Sequence, residues 1–253
     1  MAFDVYVGTM TRFYRQEWEN AAQRMCREQG IEYRMIHIGG DAEPPPSAAE
    51  IREAIGQWWR NMTNALSAQR CGTFQWNEGD NQPYFTARPA WDGYHALLVW
   101  TAHAEHRWLP LPPNIPDPWS QDAAFQRSTR PGSYSRFRTI LSPQMWLPVD
   151  FPFTFEGPTL ASSNPTHIGS VFTLKRELDE VHRRTSQRLN ALKNSPEGES
   201  EKRGLFARLF CRPAPPLDPS KPKLAEAADR GLQIFRDLAA KACEHRLPLL
   251  LSF

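Results

Sequence analysis

The sequence predicts an α/β (or α+β) chain: a mixed sheet with an N-terminal βαβ unit, about five helices and a C-terminal strand. Three observations predict it. Residues 2–9, AFDVYVGT, alternate Phe3, Val5 and Val7 with Asp4, Tyr6 and Gly8, the period of a strand with one well-buried face. Residues 16–29 then place Trp18, Ala22, Met25 and Cys26 on one helical stripe that Gly30 stops, and residues 31–38, IEYRMIHI, return to strand character. Strand, short helix and strand in so short a span read as two parallel neighbours bridged by a helix. The chain closes on LPLLLSF, apolar enough to be a terminal strand buried on both faces.

The elements between follow from local signals. After Pro44-Pro45-Pro46, Ser47 and Glu50 form an S-x-x-E capping box. The helix it opens runs to about residue 69, with Ile51, Ile55, Trp58, Trp59, Met62 and Leu66 facing inward. Short strands are expected at Phe74–Trp76 and Tyr84–Ala87, around a polar turn at Asn77–Gln82. Residues 91–107 form a helix with Leu97, Trp100, Thr101 and Ala104 on one side. From Trp108 to Pro165 the chain carries 11 of its 23 prolines, so no long helix fits there. In that proline-rich loop segment (108–165), Ser135–Leu141 alternates like a strand and Val149–Phe155 suits a sheet edge. Residues 170–193 form a helix with Leu174, Leu178, Val181, Leu189 and Leu192 on one stripe. A flexible excursion over 194–220 follows, and a last helix over about 222–245 aligns Leu224, Ala228, Gly231, Phe235, Leu238 and Ala242. The whole, residues 1–253, reads as a single domain.

Composition excludes several classes. Hydrophobic residues make up 40% and charged residues 23%, an ordinary globular mix. A formal charge of +2 leaves no electrostatic footprint for nucleic acid. The charge is uneven, however: residues 1–174 hold 14 Arg, no Lys and 17 acids, a net −3. No C-x-x-C pair occurs among Cys26, Cys71, Cys211 and Cys243, so a zinc ribbon or a redox dithiol is not expected. Cys26 and Cys243 read as small hydrophobes on apolar helix faces. The start, MAFDV, lacks a basic n-region, and the longest apolar run is too short to span a bilayer. A cytoplasmic protein without stable membrane insertion is expected. The amphipathic stretch GLFARLF, in the excursion, is too short to anchor alone and is expected to pack on the parent domain or stay unstructured.

Two groups of residues suggest function. If the first two strands are parallel neighbours, their carboxyl ends bring Thr9, Thr11 and Arg12 beside His37 and Asp41. Thr9, Thr11 and Arg12 would hold an anion, with His37 as base and Asp41 orienting it; turn chemistry with solvated side chains is the alternative. No G-x-S-x-G, G-x-G-x-x-G or P-loop run is present, and no cofactor or metal is implied. His95, His103 and His106 fall within about 80° of each other on the third helix, and without an acidic ligand they read as a solvated face. Asp92 reads as an acid complementing the start of that helix. The second group is aromatic. Trp91, Trp108, Trp119 and Trp146 lie near prolines, where they are either partner anchors or pins that hold loops to the core.

The stretches DVYVGTMTRFY (4–14), AWDGYHALLVWTAH (90–103) and FRDLAAKACEHRLPLLLSF (235–253) resemble those of uncharacterised bacterial cytoplasmic proteins. In character the chain also resembles the immunity proteins that bacteria pair with secreted toxins: compact, α/β, tryptophan-rich and without catalytic motifs. That resemblance implies a non-enzymatic protein whose partner is a toxin domain. An enzyme acting on an anionic small molecule at residues 9–12 and 37–41 is the competing expectation.

Overall fold

The computed structural model describes residues 3–32, 46–69, 71, 73–160, 164–194 and 217–252. The elements are β1 (Asp4–Val7), α1 (Met10–Tyr14), α2 (Ala21–Glu28), α3 (Ala48–Ala65), β2 (Phe85–Ala87), α4 (Ala90–Glu105), α5 (Ala123–Thr129) and α6 (Arg138–Leu141). They continue with β3 (Met145–Leu147), β4 (Phe155–Gly157), β5 (Thr166–Ser170), α7 (Val171–Asn194), α8 (Leu224–His245) and β6 (Leu249–Ser252). Helices and a mixed sheet place the chain in the α+β class, with the C-terminal strand where the apolar LPLLLSF requires it. Contacts divide the chain into two compact units. The first comprises residues 1–88, 143–173 and 237–253; the second comprises 89–142 and 174–236.

The first unit holds the sheet, in the order β2-β1-β6-β3-β5-β4. β1 pairs antiparallel with β2 (Val5 opposite Ala87) and with β6 (Val5 opposite Leu251). β6 runs antiparallel to β3, and β4 runs antiparallel to β5 at the edge. β3 and β5 are the parallel pair among the described residues. Both edges of β1 are therefore occupied by antiparallel neighbours, so no parallel crevice opens beside it. The second strand expected at 31–38 lies, from residue 33 onward, outside the described residues.

β1 is buried on both faces, not on one. Val5 and Val7 fill one side; Tyr6 fills the other, in a cluster with Met10, Ile55, Trp58, Phe74, Trp76, Met145 and Phe151. Asp4 is tolerated inside because the Arg88 guanidinium grips it in fork geometry, at 2.9 and 3.3 Å. Gly8 has no room for a side chain: a Cβ there would stand 2.2 Å from the Tyr6 hydroxyl oxygen. Instead of a loop after β1, Thr9 caps the short helix α1, its hydroxyl accepting from the Arg12 N–H. α2 starts later than its periodicity suggests, at Ala21, behind an Asn20–Gln23 capping box. Met25 of its predicted apolar stripe is 52% exposed. α3 opens at Ser47 with both halves of the expected Ser47–Glu50 box in place. Phe74 and Trp76 reach the core from an irregular segment, not a strand.

The second unit is helical. Its centre is α4, buried without a break from Ala96 to Ala104, the mark of a helix surrounded on all sides. Leu174, Leu178 and Val181 of α7 and Leu224, Leu232 and Phe235 of α8 complete the buried set. α4 and α8 cross at two glycines: a Cβ on Gly231 would lie 2.3 Å from the Gly93 carbonyl oxygen. Ser135–Leu141, expected as a strand, ends in the helix α6. Its alternation is overridden because Glu177 of α7 accepts the backbone N–H groups of Thr139 (3.2 Å) and Ile140 (3.0 Å), stabilising a helical start. In the first unit, likewise, Val149 and Phe151 enter the core from a loop, and the edge strand begins only at Phe155. No helix among the described residues is long and apolar enough to cross a membrane. No disulfide joins the described cysteines, and GLFARLF lies outside the described residues.

Candidate functional site

The anion-binding residues expected after β1 already have an anion, which the chain supplies itself. Glu78, buried in the first unit, aims its carboxylate at the N-terminus of α1. It accepts the N–H of Met10 (3.0 Å), the N–H and hydroxyl of Thr11 (both 2.8 Å) and the indole N–H of Trp76 (2.6 Å). Arg12 donates to the carbonyls of Gln82 (2.7 Å) and Asp80 (2.8 Å) and lies over the Tyr84 ring. Thr11 and Arg12 thus close the 78–84 turn onto α1, while Thr9 caps that helix by accepting the Arg12 N–H. His37 and Asp41, their proposed catalytic companions, lie outside the described residues. Glu78 was not singled out by sequence because it sits in a polar turn distant from α1 along the chain.

The four candidate tryptophans separate into three kinds. Trp146 is fully buried in the central strand β3, so it is a core residue and not a partner anchor. In the second unit, Trp91 and Trp119 are brought together by His95, whose ring lies 5.3 Å from the first and 4.5 Å from the second. Trp119 also meets Phe125 edge-on. This half-buried row fastens the 119–125 segment to α4, the loop-pinning role. Burial lowers the proton affinity of His95, with Asp92 partly opposing it. His103 is buried, not solvated. Its Nε2 stands 3.1 Å from Asp122, which also caps α5 by accepting the N–H groups of Ala124 and Phe125. These bonds hold the Asp122 carboxyl below its usual range even though burial works against them. The expectation of a solvated histidine face fails because α4 is the central helix of its unit.

The proline-rich run 110–118 forms one wall of an open cleft of about 570 Å³ in this unit, with Asp117, Asp122, Asp218 and Lys221 on its lining. Asn114 builds the cleft. Its side chain donates to the carbonyls of Asp218 and Lys221 and accepts from the Asp218 N–H. The acids there serve the fold: Asp122 caps α5, and Asp218 accepts from the N–H and hydroxyl of Ser220. No group of three or more histidines, cysteines and acids among the described residues could hold a metal ion.

Trp108 differs from the other three. It is 59% exposed, stands edge-on to His106 at 5.0 Å and carries the Arg127 guanidinium over its ring at 6.0 Å. Nearby in the unit, Tyr134 is 97% exposed. The segment bearing it is held by Glu105 at the end of α4, whose carboxylate accepts the hydroxyls of Ser128 (3.2 Å) and Ser135 (2.7 Å) and the Arg136 N–H (3.1 Å). Ser133 adds a bond to the Ser128 carbonyl at 2.7 Å. Sequence reasoning passed over Tyr134, although an aromatic set among Pro131, Gly132, Ser133 and Ser135 has no apolar neighbour in sequence to bury it.

Comparison of the chain with protein-family models, with curated proteins and with solved structures gives no match.

Proposed function

We propose that the protein is a non-enzymatic, cytoplasmic binding protein of a bacterium that neutralises a secreted toxin by direct contact. The observation that carries the docking part is the pair of exposed aromatics: Trp108, packed against His106 and Arg127, and Tyr134, on a segment held by Glu105. Rigid exposed Trp and Tyr are the side chains that contribute most when a partner covers them, since they bring large area and lose little entropy. Covering on the order of 100 Å² of the Trp108 ring contributes about 2.5 kcal/mol. Engagement of Thr9, Thr11 and Arg12 by the chain's own groups also supports binding over catalysis on an anionic small molecule. The toxin assignment rests on the resemblance in character to immunity proteins.

The test starts from the neighbouring genes, where the reading expects a secreted toxin to be encoded, and measures growth of cells producing that toxin with and without the protein; the lack of such a gene counts against the reading. Wild type restores growth and co-elutes with the toxin domain, whereas Trp108→Ala with Tyr134→Ala loses both. Failure to restore growth, or co-elution that survives the double substitution, overturns the reading.

A further inference from the structure

We propose that the Trp108–Tyr134 face recognises an acidic protein surface, a partner presenting Asp and Glu carboxylates around an apolar pocket. This rests on the docking reading above and names the chemistry of its partner. Five arginines, Arg107, Arg127, Arg130, Arg136 and Arg138, are exposed along the segment that carries the two aromatics. None of the five forms an ion pair among the described residues, whereas Arg12, Arg24, Arg52, Arg88, Arg184 and Arg236 each bond a carboxylate, a carbonyl or a hydroxyl.

Contacts bring several of these groups around the end of α4, and Arg138 follows in the same exposed segment. Glu105 bonds residues 128, 135 and 136, which brings Arg127, Tyr134 and Arg136 around the end of α4. Arg107 follows two residues after Glu105 and adjoins Trp108, on which Arg127 lies. Arg130 closes the turn with Ser133, its carbonyl accepting the Ser133 N–H at 2.9 Å. Glu105 at the centre keeps its charge but forms no ion pair with the five guanidinium groups among the described residues, its oxygens being bonded by two hydroxyls and a backbone N–H, so one carboxylate faces five cations.

Arginines without a counter-ion repel one another and lower the stability of a compact state, so a surface that keeps five of them without an ion pair among the described residues fits an anionic complement. Arginine pairs carboxylates in bidentate geometry, and Trp, Tyr and Arg together are the composition of protein-binding hot spots. Phosphate-rich nucleic acid fits less well: the chain's formal charge is only +2, and residues 1–174 carry a net −3.

The probe is a fluorescein-labelled oligoglutamate peptide followed by fluorescence anisotropy on the full chain, beside single-stranded RNA of equal length. Wild type binds the peptide more tightly than the RNA. Arg127→Glu with Arg130→Glu weakens peptide binding by at least about tenfold, and raised salt weakens it too. Both substitutions are at exposed positions, and an unchanged circular dichroism spectrum establishes that the variant folds. No peptide binding, or no loss in the variant, overturns the inference. RNA binding tighter than the peptide overturns it in favour of nucleic acid. A wild-type dimer in light scattering that the charge reversal dissociates overturns it in favour of a second copy of the chain. If Trp108→Ala with Tyr134→Ala abolishes toxin binding while the charge reversal does not, the docking reading stands and only the acidic partner falls.

Discussion

Arg12 and the arginines between positions 107 and 138 are the same side chain in opposite circumstances. Arg12 is held by two carbonyls and a tyrosine ring, beside a helix whose N-terminus is filled by Glu78. The five arginines of the second unit are exposed and have no ion pair among the described residues. A guanidinium, two hydroxyls and a helix start look like an anion site in sequence. The fold decides whether the anion comes from outside or from a residue far along the chain.

Replacing the internal anion is the strongest way to break this contrast. Glu78→Ala leaves the Met10 and Thr11 N–H groups and the Trp76 indole buried without their acceptor, and is expected to cost about 3–5 kcal/mol. An unfolding free energy from urea titration within about 1 kcal/mol of wild type would mean that α1 does not depend on it.

A second buried carboxylate sharpens the comparison through pH. Burial raises Glu177 from its ordinary value of 4.5 to about 7, even though the N–H groups of Thr139 and Ile140 favour its charged form; Glu105 adds to the rise. Between those two values the folded chain keeps a proton that the unfolded chain has released. Stability from this group is therefore present below about pH 4.5, declines as pH rises toward 7 and levels off above. The decline is at most about 3 kcal/mol, reduced by the part of the carboxyl that still meets water. Glu177→Gln should flatten it, as read from urea midpoints across that pH range.

The smallest effects separate the two sets of arginines directly. Arg12→Ala should cost about 1–2 kcal/mol, from two charge-assisted hydrogen bonds and a cation–π contact that are partly exposed. Arg130→Ala and Arg136→Ala should stay within about 0.5 kcal/mol of wild type, because both are exposed and no guanidinium contact of theirs is formed among the described residues. If thermal unfolding shows either of them costing as much as Arg12→Ala, that arginine has a structural role and the recognition face loses a member.

Local signals were legible where the determinants lie within a few residues. The Ser47–Glu50 box, the α7 stripe from Leu174 to Val181, the α8 stripe and the apolar close of β6 all appear where the sequence places them, since period and capping are short-range properties. The 135–141 segment was misread as a strand because its helical start is stabilised by Glu177, whose position along the chain gives no hint of it. Trp91, Trp108, Trp119 and Trp146 could not be sorted either: all four sit near proline, yet one fills the sheet, two meet through His95 and one, against His106 and Arg127, is 59% exposed.

What the sequence alone determined is the alphabet of elements: an α+β chain, its capping residues, its irregular proline-rich middle and its apolar terminal strand. Strand order, the burial of β1 on both faces and the partners of Asp4, Arg12, Glu78 and Glu177 were decided only by tertiary structure. The reason is physical. Helix caps and hydrophobic period are set by neighbours in the chain, but which carboxylate answers which N–H or guanidinium depends on residues tens of positions apart meeting in space.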